Sequence, residues 1–288
     1  MKTQFGHEAT TSFTLWFDHH LVKHADAFSN KSETLYHVND DRIPDGFYRY
    51  SSPYKQWVSE SGVNSSVVPT SISKDGSAIY RNDSNYGYYM DFENGGVVLT
   101  GSSAASNLNL TADFSVKDFN IYNTNQTEEA LIVENKYESN SRFASYLSGI
   151  APYDQVTPAI FINNEYFENE GFSFGGEDKT TLDFKAVVFA ENLYQLDGVL
   201  SLFGDSNNLS FPNIDFGDHP INEYGDLKAE PYQYQTLIDS NKTDLFYIER
   251  AVTTKISETV RNQISPLLYV GFVDFEVSKL RYPRAFLG

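Results

Sequence analysis

The segment NLNLTADFSVK (107–117) alternates apolar and polar residues without a break. Its apolar residues are Leu108, Leu110, Ala112, Phe114 and Val116. They fall on one side of an extended chain, because successive side chains of a β-strand point to opposite faces. The segment therefore predicts a strand with one buried face, and such a strand needs neighbours in a sheet.

Two neighbouring patterns extend this prediction. After residue 117 the alternation resumes one place out of step at Phe119 and Ile121, which predicts a β-bulge. Upstream, the segments 86–92 and 97–100 flank the pair Asn94-Gly95. Because this pair tolerates the positive φ of a tight turn, the two segments predict a β-hairpin.

The second half of the chain is also rich in strand patterns. Residues 180–190 predict a longer strand, and 187–190 are apolar on both faces, which favours a central place in a sheet. Shorter strands are predicted at 159–163 and 171–176, and two last strands within 244–258 and 267–280 predict an antiparallel ribbon joined by a loop around Pro266.

Four helical or irregular segments complete the pattern. Residues 8–28 predict an amphipathic helix capped by Thr11 or Ser12, and residues 192–203 predict a helix capped by Asn192 that ends near Gly204. Residues 127–138 fit a short helix or a strand equally well. The loop at 148–157 is a candidate boundary between halves.

These elements predict a β-rich α+β fold. We expect antiparallel sheets of a sandwich or barrel type, with an N-terminal helix and one or two peripheral helices. The first half would span 1–147. The second would span 148–288 and carry the helix 192–203 and the C-terminal β-ribbon, unless the two form one continuous domain.

Composition excludes several classes of function. The 288 residues carry a formal net charge of -18, which opposes direct readout of nucleic acid. The chain has no cysteine, so disulfides, thiolate metal sites and a cysteine nucleophile are excluded. No stretch is long and apolar enough for a membrane span, and the N-terminus lacks the apolar run of a secretory signal.

Charge is unevenly spread along the chain. Residues 242–288 hold seven basic and five acidic residues, whereas the remainder holds 14 basic and 34 acidic ones. Arg281 and Arg284 lie near the basic end. An acidic body and a basic C-terminal ribbon favour head-to-tail packing between copies, although a solvated basic ribbon explains the same pattern.

Candidate catalytic and metal-binding groups are sparse. His20 and His24 are one helical turn apart, with His19 and Asp18 nearby, a spacing that can hold zinc. Leu21 follows His20 where a metalloprotease has its glutamate. A surface or interface face of the helix explains these histidines more simply.

Two further groups of polar residues are explained more simply as polar surface loops. Asp215, Asp218 and His219 form a carboxylate–imidazole group in a polar loop. The loops 39–46, 73–85 and 204–208 offer oxygen ligands for calcium but lack EF-hand spacing. Nucleophile elbows and phosphate-binding loops are absent. We therefore predict no enzyme activity, cofactor or metal.

Aromatic residues make up 15% of the chain, with 20 Tyr and 22 Phe. One group comprises Tyr36, Tyr48, Tyr50, Tyr54 and Trp57, and a second comprises Tyr86, Tyr88 and Tyr89. Such groups can stack on sugars, form dry subunit contacts or fill a core. In a strand at 47–50, Arg49 would mark the wet face and turn Tyr48 and Tyr50 inward.

Three segments, 46–61 (GFYRYSSPYKQWVSES), 115–135 (SVKDFNIYNTNQTEEALIVEN) and 180–203 (TTLDFKAVVFAENLYQLDGVLSLF), resemble stretches of structural proteins of tailed bacteriophages. The resemblance implies a virion component of the neck or tail, such as a head–tail connector, assembled in the host cytoplasm as a symmetric ring. Its partners would be copies of itself and other virion proteins, without contact with a membrane. The alternative is a carbohydrate- or receptor-binding β module.

The residues that we expect to mediate such contacts come from the two tyrosine groups and the basic end of the chain. They are Tyr48, Tyr50, Tyr54, Trp57, Tyr86, Tyr88, Tyr89, Arg281 and Arg284.

Overall fold

The computed structural model of the protein describes residues 4–133, 157–173, 176–221, 227–264 and 268–282. Strands make up 42% and helices 20%, and antiparallel sheets form a near-barrel and a half-barrel. With its N-terminal helix and few further helices, the fold confirms the predicted β-rich α+β class. Within the described ranges, no helix is both long and apolar enough to cross a membrane.

The described residues form five helices and two sheets. The helices are α1 (Phe5–His24), α2 (Glu128–Val133), α3 (Leu193–Gly204), α4 (Tyr234–Ser240) and α5 (Glu258–Ile264). The first sheet contains β1 (Phe28–Val38), β2 (Tyr48–Ser51), β3 (Ser71–Lys74), β4 (Ser77–Tyr80), β5 (Tyr88–Asp91), β6 (Gly96–Leu99) and β7 (Leu110–Lys117). The second contains β8 (Asn120–Asn123), β9 (Ala159–Gly171), β10 (Asp178–Ala190), β11 (Ser210–Pro212), β12 (Leu245–Lys255) and β13 (Tyr269–Arg281).

The first sheet nearly closes on itself. Its strand order is β4-β3-β7-β1-β2-β6-β5, so β4 and β5 are the outer strands. Just beyond β4, the carbonyl of Arg81 accepts a hydrogen bond from the backbone N–H of Tyr88 in β5 at 3.0 Å. Ile79 of β4 and Tyr88 both lie in the buried core of this sheet. The two edges therefore meet at this point, and the sheet is almost closed.

The second sheet is open. Its strand order is β11-β12-β13-β10-β9-β8, with β10 paired on both sides along its length. The sequence predicted a central strand here, and this is confirmed, because residues 186–190 are buried throughout. Only β8 and β9 run parallel; the other pairs are antiparallel.

The predicted bulge after residue 117 is wrong. Strand β7 ends at Lys117 in the first sheet, and β8 begins at Asn120 in the second sheet, where it pairs with β9. The phase change in the alternation therefore marks a crossing between two sheets. Both events shift the buried face by one residue, so the pattern alone cannot separate them.

Helix α1 packs against the second sheet and α3. Phe13 stacks on Phe184 of β10, with ring centroids 4.2 Å apart, and Phe17 stacks on Phe203 of α3 at 3.7 Å. Both phenylalanines are fully buried. These stacked rings join the N-terminal helix to strands from the second half of the chain. The division at residues 147 and 148 stays a prediction.

The predicted bounds of this helix, 8–28 with a cap at Thr11 or Ser12, are wrong at both ends. The helix begins after Gln4, which forms a capping box with His7. Thr11 instead donates to the carbonyl of His7 at 2.6 Å, inside the helix. At the other end, the positive φ of Asp26 (48°) breaks the helix before β1 begins at Phe28.

Several local predictions are confirmed. Strands β5 and β6 form the predicted hairpin, with Gly95 at φ 66° in its turn. Helix α3 begins at Asn192, whose side chain accepts a hydrogen bond from the Gln195 backbone N–H at 2.9 Å. Strands β12 and β13 form the predicted antiparallel ribbon.

Other segments differ from their predictions. Strand β9 runs through 159–171, where only 159–163 was expected, because its outer half is exposed on both faces and shows no alternation. The undecided segment 127–138 forms α2 over Glu128–Val133, and residues 134–138 lie outside the described residues, as does the loop at 148–157 except for Thr157. The predicted loop before Pro266 contains α5.

Candidate assembly surface

Three of the predicted contact residues belong to the core. Trp57, Tyr50 and Tyr88 are at most 3% exposed. The Trp57 ring stacks on Phe114 at 4.1 Å and its indole N–H donates to the Ser52 hydroxyl at 3.2 Å. Tyr50 donates its hydroxyl to the carbonyl of Ala105 at 2.7 Å. These side chains cannot reach a partner or a sugar, so the prediction that they mediate contacts is wrong.

The remaining tyrosines do not form one exposed array. Tyr48, Tyr54 and Tyr86 are half-buried, whereas Tyr89 is 60% exposed. The ammonium group of Lys31 lies 5.1 Å from the ring centre of Tyr54, and that of Lys74 lies 5.2 Å from the ring centre of Tyr86. Two of the rings are therefore already engaged in cation–π contacts.

The sequence placed Arg49 on a wet face, and this is wrong. Arg49 is 4% exposed. Its guanidinium donates to Asp40 at 2.8 Å and to Asp91 at 2.6 Å. Two carboxylates compensate the buried charge, so an arginine alternating with tyrosines does not mark the solvent side here.

Arg281 lies on the surface but is held in place. Its guanidinium carbon is 3.7 Å from the ring centre of Phe5 and 5.6 Å from that of Phe167, and its Nε donates to the Thr180 hydroxyl at 2.8 Å. Arg281 therefore contacts both the N-terminus of α1, through Phe5, and the outer half of β9, through Phe167. Arg284 lies outside the described residues.

The outer half of β9 forms an open strand edge. Strand β8 pairs with β9 only over residues 159–162. From 165 to 171 every residue of β9 is exposed, on both faces of the sheet. Among the residues that the structure describes, β10 alone pairs with the backbone of this stretch. We call residues 164–171 the β9 edge.

The β9 edge is acidic and partly aromatic. It carries Glu165, Glu168 and Glu170 and no basic residue. Tyr166 and Phe167 are 46% and 45% exposed. Asp183 of β10 pairs with Tyr166 and the next residue, Phe184, pairs with Asn164, so Glu165 is an extra residue that forms a β-bulge. Bulges and charged side chains at a strand edge prevent pairing between identical edges. Two copies of this edge would repel each other, because their glutamates would lie opposite one another.

The opposite edge of the same sheet is formed by β12. Its first part is covered by β11 and by Asn208, whose backbone N–H donates to the carbonyl of Ile248 at 2.9 Å. The Asn207 side chain accepts from the Ala251 N–H at 2.8 Å. Within the described chain, backbone pairing partners for 252–255 come from β13 alone. We call residues 252–255 the β12 edge.

Basic groups lie beside the β12 edge. Arg250 is exposed, and Lys255 forms an ion pair with Asp197 of α3. The two open edges of the second sheet thus differ in local charge. The β9 edge carries three carboxylates, of which Glu165 lies 3.6 Å from Lys185, whereas beside the β12 edge Lys255 is paired with Asp197 and Arg250 is exposed.

The outer face of the second sheet is also charged. Lys185 of β10 lies 2.5 Å from Glu128, 3.5 Å from Asp274 and 3.6 Å from Glu165. Burial opposes its charge, but the surrounding carboxylates outweigh that effect and raise the pKa of Lys185. Acidic groups outnumber the lysine that they surround, so this patch has a net negative charge.

The predicted histidine cluster is split by the helix. His19 is buried and its Nδ1 lies 2.7 Å from Glu60. His20 packs on His24 instead, with ring centroids 4.6 Å apart. Burial, followed by the nearby His24, lowers the pKa of His20 to about 4. In the part of the chain that the structure describes, no three His, Cys, Asp or Glu side chains are grouped so as to hold a metal ion.

The loop around Asp215, Asp218 and His219 does not form an open site. His219 is 1% exposed. Burial, with a smaller contribution from Lys228, lowers its pKa to about 4. A buried neutral imidazole serves packing better than proton transfer with an outside substrate.

In two of the loops that offer oxygen ligands for calcium, the carboxylates bind groups of the chain itself. In the loop 39–46, Asp40 is bound by Arg42 and Arg49. In 73–85, Asp83 caps the turn by accepting from the backbone N–H groups of Asn85 and Tyr86 at 2.8 Å. These carboxylates stabilise loops by pairing with groups of the chain itself.

Comparison with known proteins gives no family for this chain. No protein-family model matches it, and no curated protein matches its sequence.

Proposed function

We propose that this protein is a virion structural protein of a tailed bacteriophage, a neck or tail component that assembles as a symmetric ring. The resemblance of the segments 46–61, 115–135 and 180–203 supports the phage assignment. The observation that carries the assembly role is the open, acidic β9 edge, in a protein whose other sheet nearly closes.

An unpaired edge presents free backbone N–H and C=O groups to another strand. Pairing between two β9 edges would place carboxylates opposite each other, which is destabilising. Among the described residues, β13 alone pairs with the backbone of the β12 edge, which lies at the other side of the same sheet beside Arg250. The β9 edge of one copy would therefore pair with the β12 edge of the next.

Such a contact joins two different surfaces of the same chain. Repeating it adds copies in one direction, and the chain of copies closes into a ring if the rotation per copy divides a full turn. The acidic outer face around Lys185 suits the wall of a DNA conduit, because weak repulsion prevents the genome from sticking.

Analysis of purified particles tests the virion assignment. We expect peptides of this chain in the mass spectrum of gradient-purified virions of the phage that encodes it, and a ring at the neck or tail in electron micrographs. Particles that are complete and infectious without the protein would overturn the assignment. A control digest of the host lysate establishes that the peptides are detectable.

A further inference from the structure

A cavity of about 370 Å³ lies between α1, the strand β8 and the turn of the β5–β6 hairpin. Its floor is buried and includes Asp18 and Lys117. Its rim includes Gln56, Glu93 and Asn123. Small-molecule sites typically measure roughly 300–1,000 Å³, so the cavity has the size of such a site.

The floor of the cavity presents a hydrogen-bond donor and an acceptor side by side. The ammonium nitrogen of Lys117 lies 2.5 Å from a carboxylate oxygen of Asp18, and Tyr232 lines the cavity as well. An ammonium group has three N–H donors. Among the described residues, Asp18 is the one hydrogen-bond acceptor of this ammonium. Lys117 therefore retains donors for a molecule in the cavity.

The charges of the cavity select against ionic ligands. A bound anion would face the carboxylates of Asp18 and Glu93, and a bound cation would have to displace Lys117 from Asp18. A hydroxyl group accepts from Lys117 and donates to Asp18 at the same time. We infer that this cavity binds a neutral, hydroxyl-rich small molecule of monosaccharide size.

The rim shows a strained residue beside the floor. Gln56 has φ 57°, a conformation that a glutamine rarely adopts. Its backbone is held from both sides, because its N–H donates to the carbonyl of Glu93 at 3.0 Å and its carbonyl accepts from the Lys117 N–H at 2.8 Å. Backbone strain of this kind concentrates at ligand sites. Apolar surface from Phe119 and Ile121 completes the lining and suits the C–H face of a sugar ring.

The inference goes beyond the proposed assembly role and does not depend on it. The β9 and β12 edges contribute no residue to the cavity. Sugar binding was also an alternative for the tyrosine groups, and the cavity contains none of those tyrosines.

Saturation-transfer difference NMR on the purified full chain tests the inference. The probes are glucose, galactose, N-acetylglucosamine and myo-inositol, each at millimolar concentration. We expect saturation transfer to the ring protons of at least one probe. Ile121→Trp should fill the cavity and abolish the transfer. Val67→Trp, at an exposed position outside the lining, should bind like the wild type.

A second variant keeps the test valid if Ile121→Trp does not fold. Replacing Asp18 by Asn and Lys117 by Met together removes both charges, a change that often preserves stability. We expect an unchanged melting temperature and at least a tenfold weaker affinity for the sugar. Absence of transfer from all four probes to the wild type, or full binding by the two cavity variants, would overturn the inference.

Discussion

The buried guanidinium of Arg49 lies between two carboxylates, 2.8 Å from Asp40 and 2.6 Å from Asp91. Asp40 also binds Arg42, whose side chain is 78% exposed. The same carboxylate thus has one buried and one exposed partner. This arrangement allows the contributions of a buried and a surface ion pair to be measured at one acceptor.

Replacing Arg49 by Leu should reduce the free energy of unfolding by about 3 kcal/mol, because Asp91 would lose the cation that compensates it and Asp40 would keep only the exposed Arg42. The matched control Arg42→Leu should cost less than about 1 kcal/mol, since that arginine is exposed. Urea unfolding measures both. Equal losses in the two variants would contradict the assignment of Arg49 as a buried compensating charge.

Buried histidines should make the protein sensitive to acid. Burial lowers the pKa of His219 from 6.5 to about 4, so the unfolded chain takes up a proton at this residue before the folded chain does. Stability should therefore fall as the pH drops from about 6.5 to about 4. His20 acts in the same direction.

His219→Leu should make this decline shallower, because one of the two groups no longer titrates. Thermal unfolding between pH 7 and pH 4 measures the effect as the difference in melting temperature at each pH. Parallel curves for the variant and the wild type would show that His219 does not contribute to the acid sensitivity.

At the scale of elements, the β5–β6 hairpin depends on one glycine. Gly95 has φ 66°, and a Cβ atom at this position would lie 1.8 Å from the carbonyl oxygen of Tyr54. Gly76 also has a positive φ, of 84°, but no atom lies within 4 Å of its Cβ position. The two glycines share a positive φ and differ in the space around them.

Gly95→Ala should therefore destabilise the protein by at least about 2 kcal/mol, since the Tyr54 carbonyl must move away. Gly76→Ala should cost about 1 kcal/mol, from the left-handed backbone alone. Chemical unfolding of the two variants gives the comparison. A loss at Gly95 no larger than at Gly76 would mean that the approach to Tyr54 is not fixed in solution.

Elements specified by local sequence were predictable. The Asn94-Gly95 turn, the Asn192 cap of α3 and the alternation in β10 each act over a few residues, and the structure contains all three. The ends of α1 were not predictable, because the helix is buried on most sides and has no clear polar stripe. Strand β1 was missed since its residues are mostly half-buried and do not alternate.

The candidate assembly surface was less predictable than the fold. Tyrosine and tryptophan fit a core and an interface equally well, and only the packing of Trp57 on Phe114 places it in the core. The β9 edge is visible only once the sheet order is known, because an open edge depends on which strands pair. A run of residues without alternation, such as 164–171, is the one sequence signal that points to it.

At the scale of the whole molecule, the two sheets differ in whether their outer strands meet. The first sheet brings β4 and β5 together, whereas the second leaves the β9 edge and the β12 edge exposed at opposite sides. A chain with a net charge of -18 repels its own copies over most of its surface. Association therefore requires a contact at which backbone pairing and local opposite charge overcome that repulsion.

The most direct test of this assembly is the mass of the purified protein in solution, measured by size-exclusion chromatography with multi-angle light scattering. We expect a defined multiple of 32.6 kDa for the wild type. The double variant Glu168→Lys with Glu170→Lys, which reverses the charge of the β9 edge, should shift the mass toward the monomer. Asp45→Lys with Asp113→Lys, which makes the same charge change at exposed positions elsewhere, should leave the multiple unchanged. A wild type that stays monomeric at all concentrations, or a multiple that survives the β9 variant, would contradict assembly through this edge.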